Sequence, residues 1–282
     1  MGFTPGSNTN LRRPFYSKFG WTQDFTYFNP QNSGSYHALQ AKLERRFSNG
    51  LQMLANYTWS KSLVYQADYF DIDPRVNYGP AAFNRAHTFN LSGLYDLPFG
   101  RQKLLLNNAS GWLNQIVGGF TLNGDVTAST GYPFTYSYNE CGNDRDTGPC
   151  RPDKVASAGL GSRSFDPMDH SVVYFNPVAP LTVNGASSGA FRRPQLAQFG
   201  NVGNDSAFGP GEVNVDLALN KLFTIRERYS LQLRAEAYNA MNHPNYGNPN
   251  SCVDCSLSSN PGKITDVALP MRQLQFSARI QF

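Results

Sequence analysis

Along much of the chain apolar and polar residues alternate with a period of two, the spacing that places one set of side chains on each face of a β-strand. From His37 the odd positions read His37, Leu39, Ala41, Leu43, Arg45 and Phe47, and the even ones Ala38, Gln40, Lys42, Glu44 and Arg46. Ser48, Asn49 and Gly50 follow, a tight-turn sequence because Asn and Gly tolerate positive φ. Leu51, Met53, Ala55, Tyr57 and Trp59 then oppose Gln52, Asn56, Thr58 and Ser60, so the segment reads as a hairpin. The same grammar predicts strands over 87–99, 120–129, 213–220, 229–237 and 274–282, with a turn near Thr224 to Glu227, which brings the number of strands to seven.

Several of these strands run to about 9–12 residues, against ~5–6 in soluble proteins, and are long enough to cross a bilayer at a tilt. A soluble sandwich shows the same alternation, so the connections decide. They are short at 48–50, long at about 61–86, intermediate at 100–118, very long at about 131–212, short at 224–228 and long at about 241–270. Successive connections of antiparallel strands lie at opposite ends, so every long loop falls on one rim, as in outer-membrane barrels. Aromatic residues gather at strand ends: Phe47, Tyr95, Phe99, Trp112, Phe120, Phe223, Tyr229 and Phe282 near the short-turn rim, Tyr57, Trp59, Tyr132 and Phe134 near the other. Two girdles bounding an apolar band suit membrane interfaces. The expected fold is all-β: an antiparallel transmembrane β-barrel portion over 34–282, with about seven long strands, short periplasmic turns and long extracellular loops. Residues 1–33 are expected as an extracellular loop segment, with a further strand over 19–28 suggested by Phe19, Trp21, Gln23, Phe25 and Tyr27.

Composition narrows the alternatives. Charged residues make up 16% of the 282, below the ~25% usual in soluble domains, yet mean hydropathy is −0.44. No apolar stretch approaches the ~20 residues of a spanning helix. With 25 Gly and 18 Pro, a helical bundle is disfavoured as well. The net charge of +4 comes from scattered Lys and Arg, which argues against a nucleic-acid partner. Residues 1–30 show no secretory leader, so the reading is either a cytosolic chain or one whose true N-terminus is missing.

Six phrases carry a family resemblance: Tyr36 to Gln40 (YHALQ), Arg45 to Leu51 (RRFSNGL), Asn56 to Ser62 (NYTWSKS), Phe83 to Gly100 (FNRAHTFNLSGLYDLPFG), Arg234 to Asn250 (RAEAYNAMNHPNYGNPN) and Arg272 to Phe282 (RQLQFSARIQF). In their order and spacing the chain resembles the C-terminal part of a TonB-dependent outer-membrane transporter, most similar to the Oar-like receptors. That resemblance implies a bacterial outer-membrane receptor that binds a scarce solute and imports it. Such a receptor contacts outer-membrane lipid, the barrel-assembly machinery and, through an N-terminal plug, the TonB system. The family has a barrel of about 22 strands around its plug. Seven strands without a plug are therefore read as a fragment, or the product of a truncated gene, of a longer transporter. The alternative is a small structural or adhesive outer-membrane barrel without transport, which an eighth strand could close. At the terminus Leu274, Phe276, Ala278, Ile280 and Phe282 resemble the signal read by the assembly machinery through an added strand.

Chemistry is sparse. His37, His87, His170 and His243 are far apart, and no nucleophile elbow, zinc motif or phosphate loop is present, so neither an enzyme nor a cofactor is expected. His243 reads as a turn residue between Asn242 and Pro244, and His37 and His87 fall on the outward face. Cys141 with Cys150 and Cys252 with Cys255 form two local pairs inside external loops, read as loop-stapling disulfides in an oxidising exterior, though three connectivities remain open. Asp68, Asp71 and Asp73, and again Asp144 and Asp146, have spacings compatible with calcium, yet lack the full loop pattern; solvated charge is the commoner role. Lys42, Glu44, Arg46, Asp216, Arg234, Glu236 and Arg279 are expected to face the lumen.

Overall fold

The structure is a computed structural model and describes residues 9–13, 15–23, 33–65, 74–138, 151–158, 165–176, 190–195, 199–226 and 229–282. Among these residues seven long strands lie side by side in chain order, each antiparallel to the next: β1 (Gly34–Ser48), β2 (Leu51–Tyr65), β3 (His87–Asp96), β4 (Phe120–Ser129), β5 (Glu212–Arg226), β6 (Tyr229–Tyr238) and β7 (Gln273–Gln281). A short strand, Tyr78–Pro80, extends the top of β2. The first hairpin turns on two residues, with φ of 55° at Asn49 and 79° at Gly50, and Ser48 pairs with Leu51 across it. Positive φ at both central positions matches the strand twist, which is why Asn-Gly stands here.

Register follows the alternation. Leu51, Tyr95, Leu122, Leu219, Ala235 and Phe276 form one row across six strands on the apolar face. Asn56, Asn90, Thr127 and Asn214 form a row on the polar face. A one-residue slip would carry a whole strand's apolar set to the polar side, so the pattern fixes the pairing.

Some boundaries differ from those the sequence suggests. β5 continues to Arg226, past the turn expected from Thr224, with a register irregularity between Thr224 and Arg226. β2 runs to Tyr65, five residues into the expected loop, because its pairing continues with β1 and Tyr78–Pro80. β3 ends at Asp96, and Phe99 instead bridges to Leu105 ahead of a helix over Gly111–Val117. The further strand expected over 19–28 is not formed in its first five residues: Tyr16–Phe19 is a helical turn closed by Gly20 at φ 64°. Residues 24–32 are outside the described ones.

Among the described residues, no strand pairs with the free edge of β1 or of β7. Burial is concentrated not in the strands but in the long connections at one rim, where Phe134, Tyr138, Phe175, Phe191, Val202 and Val253 form an apolar cluster.

Candidate functional site

Among the described residues two surfaces can meet a water-borne solute: the cap formed by the long connections, and the polar face of the sheet beneath it. The cap draws on the connections between β4 and β5 and between β6 and β7. Phe191 and Val253 are completely buried, and Tyr136 packs its ring 5.1 Å from Phe175 and 4.7 Å from Phe191. Burial, with Tyr174 nearby, pushes the Tyr136 phenol above its usual range. Phe134, expected in the membrane girdle, belongs to this core instead, 6.2 Å from Phe175. Trp59 and Tyr132 remain exposed, as girdle residues should be.

Hydrogen bonds close the seam between the two connections. Ser137 receives the amide of Val253 at 2.9 Å and donates its own to Ser251 at 3.1 Å, and Tyr174 donates to Gly262 at 3.0 Å. Lys263 and Asp169 form an ion pair across the seam, and this bond, with one from Ser171, holds the Asp169 carboxyl below its usual range. The connection after β2 joins through Arg151, a buried guanidinium whose Nη2 donates to the Val76 carbonyl. Desolvation lowers the Arg151 pKa, and Asp205 opposes that shift. Gly79 has no room for a Cβ because the Asn204 carbonyl lies against it, so only glycine permits this contact.

Below the cap the residues expected in the lumen share the polar face. Glu44 lies 2.9 Å from Lys42 and 4.0 Å from Arg46 along β1, and Arg234 lies 2.6 Å from Glu236 along β6. Asp216 accepts from the Asn214 side chain at 2.9 Å and from the Asn239 amide at 2.8 Å. Arg279 stands opposite Gln232. At the upper rim Arg85 binds Glu212 at 2.8 Å, donates to Ser129 and stacks 3.8 Å from the Tyr132 ring, joining three strand ends.

The apolar sides of the seven strands all point the other way. Their large residues are open to the surroundings, with Phe276 76% and Ile280 67% exposed. A continuous exposed apolar wall backed by a polar, charge-bearing face is the arrangement a bilayer requires, since lipid replaces the missing core. A family described as "Outer membrane beta barrel domain" matches residues 1–275.

The chain belongs to the outer membrane beta barrel family.

No curated protein matches it in sequence. This barrel domain therefore sits in the bacterial outer membrane, its short turns facing the periplasm and its cap the exterior.

The remaining sequence candidates separate. Cys252 and Cys255 are joined as a disulfide with Cα atoms 5.7 Å apart. Asp254 lies beside the two sulfurs, but a disulfide offers no thiolate, so this trio does not constitute a metal site. Cys141, Cys150, Asp68, Asp71, Asp73, Asp144 and Asp146 lie outside the described residues. The Nδ1 of His87 bonds the Tyr57 hydroxyl at 2.8 Å on the outer wall. The His243 amide donates to Asn239 at 2.9 Å in a turn.

Sequence reasoning missed three residues of the barrel domain. Arg151 and Arg85 gave no signal of their own. Lys221 did: it interrupts the apolar run Val213, Val215, Leu217, Leu219 at a position that must face lipid. It is 6% exposed, and its ammonium donates to the Gly118 carbonyl between the rings of Phe120 and Phe223, at 4.5 and 4.8 Å.

Proposed function

We propose that this barrel domain is the C-terminal part of a TonB-dependent receptor that captures a scarce solute on its exterior cap and imports it across the outer membrane. The supporting observation is the pair of edge strands. β1 and β7 stand at opposite ends of the sheet and have no partner on their free sides among the described residues. Backbone groups left unpaired in hydrocarbon cost several kcal/mol each, so a stable wall needs more strands to close it. The large barrels of such receptors provide them, and the row Lys42, Glu44 and Arg46 on β1 then faces a plug. The chain's resemblance over its six phrases points the same way. In this reading the outward side chains ending at Phe282 serve the assembly machinery.

A small structural or adhesive barrel would instead join β1 to β7 directly or through one added strand. Uptake measurements on the full-length parent separate the two. Cells carrying the parent should accumulate a solute that cells lacking it do not, and deleting the inner-membrane energising system should abolish this. Accumulation unaffected by that deletion, or a cysteine cross-link between β1 and β7 forming within one chain, would favour the structural reading.

A further inference from the structure

The outer wall, which ought to be purely apolar, changes character at the exterior end of β1 to β3. His37 pairs with Lys61 across β1 and β2, and one step closer to the membrane Leu39, Trp59 and His87 stand in a row. All five project from the lipid-facing side, the side of Leu43, Ala55 and Leu91. Phe208, held by a bond from the Tyr174 hydroxyl to its carbonyl at 2.8 Å, lies over this wall and divides it into two adjoining grooves. One is lined by His37, Leu39, Trp59 and Lys61, the other by Tyr57, His87, Phe89, Val213 and His243.

Hydrocarbon does not account for a lysine and three histidines here. A Lys displayed outward just beyond an exposed Trp stands where headgroups begin, because aromatic belts mark that level. Among the described residues the one carboxylate lining either groove, Glu212, is already matched by Arg85 at 2.8 Å, so the balance of these linings is cationic. The Tyr57 hydroxyl engages Nδ1 of His87. When the hydroxyl donates, the neutral ring carries its proton on Nε2, free to donate outward. Directly below, Ala41, Phe89, Ala128 and Val213 continue as apolar wall. Donors above and hydrocarbon below complement an amphiphile with a phosphorylated headgroup.

We propose that this rim seats the phosphorylated sugar headgroup of an outer-leaflet glycolipid. Lys61 supplies the standing charge, His37 and His87 further donors, and Trp59 a flat face for the sugar. Acyl chains continue down the wall past Phe89 and Val213. The assignment does not depend on transport, since it concerns the outside of the barrel.

The test uses the protein extracted from outer membranes of its host in mild detergent. Binding is measured for a purified bis-phosphorylated lipid A, its dephosphorylated form and inorganic phosphate in excess. Lys61→Gln should weaken the phosphorylated lipid roughly fivefold, the factor expected for one basic residue at an anionic surface. Lys61→Arg should preserve binding, and Lys103→Gln, on the connection at the opposite rim, should leave it unchanged. Trp59→Ala should weaken both lipids. Retention of the heat-dependent gel shift shows that each variant is folded. Equal affinity of Lys61→Gln and wild type for the phosphorylated lipid would overturn the proposal. So would full displacement by inorganic phosphate, which would mean the site recognises the anion without its lipid.

Discussion

Lys221 illustrates how one residue departs from a pattern without breaking it. Its position on β5 faces lipid, but the rim is near, and the long side chain carries its charge to the Gly118 carbonyl while Phe120 and Phe223 cover the stem. Lys221→Met keeps the stem and removes the donor, so it leaves a buried carbonyl unsatisfied. That costs about 1–3 kcal/mol, and the folded band in unheated gel electrophoresis should convert at a lower temperature than in wild type. Two neighbouring residues on β2 give the complementary case. Ala55 lies in the apolar row with Leu43 and Leu91, and Asn56 in the polar row with Lys42 and Asn90. Arg at Ala55 should cost ~2–4 kcal/mol if the site lies near the membrane midplane, and Arg at Asn56 should be tolerated. Equal loss of folded barrel in both variants would mean that β2 does not divide lipid from lumen.

Among the elements, β7 has the most exposed wall. Leu274, Phe276, Ile280 and Phe282 point outward, and Gln273, Gln275 and Gln281 fall on the other face. If the outward set is read during assembly, deleting Phe282 or changing it to Asp should lower outer-membrane levels of the protein, with Phe276→Asp as control. Gln281→Ala, one residue away on the opposite face, should not. Immunoblots of membrane fractions decide between them. The strands were legible because period-two alternation is a local signal, and the Asn49-Gly50 turn because its chemistry is local too. The end of β5 was not: Phe223 continues the alternation, but the sequence around Thr224 also looks like a turn, and only pairing with β6 extends the strand. The cap was missed for the same reason. Tyr132 and Phe134 stand at a strand end, where both read as girdle residues, and only Phe175, Phe191 and Val253, arriving from distant segments, draw Phe134 into a core. Asn239 shows a related blindness to context. It is 4% exposed and bonds His243 through both its amide nitrogen and its oxygen, a turn that is written in the phrase from Arg234 to Asn250 but whose burial is not.

For the molecule as a whole, wall and cap are stabilised by different means, so conditions should separate them. The wall rests on lipid and on paired strands, whereas the cap seam includes the Asp169 to Lys263 ion pair. Because Asp169 titrates below its usual range when folded, its contribution is complete above the ordinary carboxylate range. It is lost as pH falls through the lowered value. Amide protection factors around 171–173 and 263–264, which allow for the slower intrinsic exchange in acid, should therefore fall as pH is lowered while those of the wall strands are kept. Uniform protection at both sites down to the acid limit would argue against that seam. The aromatic core of the cap carries one more consequence, for the order of events. Phe134 and Val253 are more than a hundred positions apart, and loops of that span close slowly unless something shorter first draws their ends together. Pairing of β5 with β4 and with β6 does so, by bringing Glu212 beside Ser129 and Leu217 beside Ala237. Maturation should thus run from the membrane outward: strands zip first and the exterior crown sets last. A newly inserted chain would pass through an interval in which its loops can be cut from outside the cell although its strands are already paired.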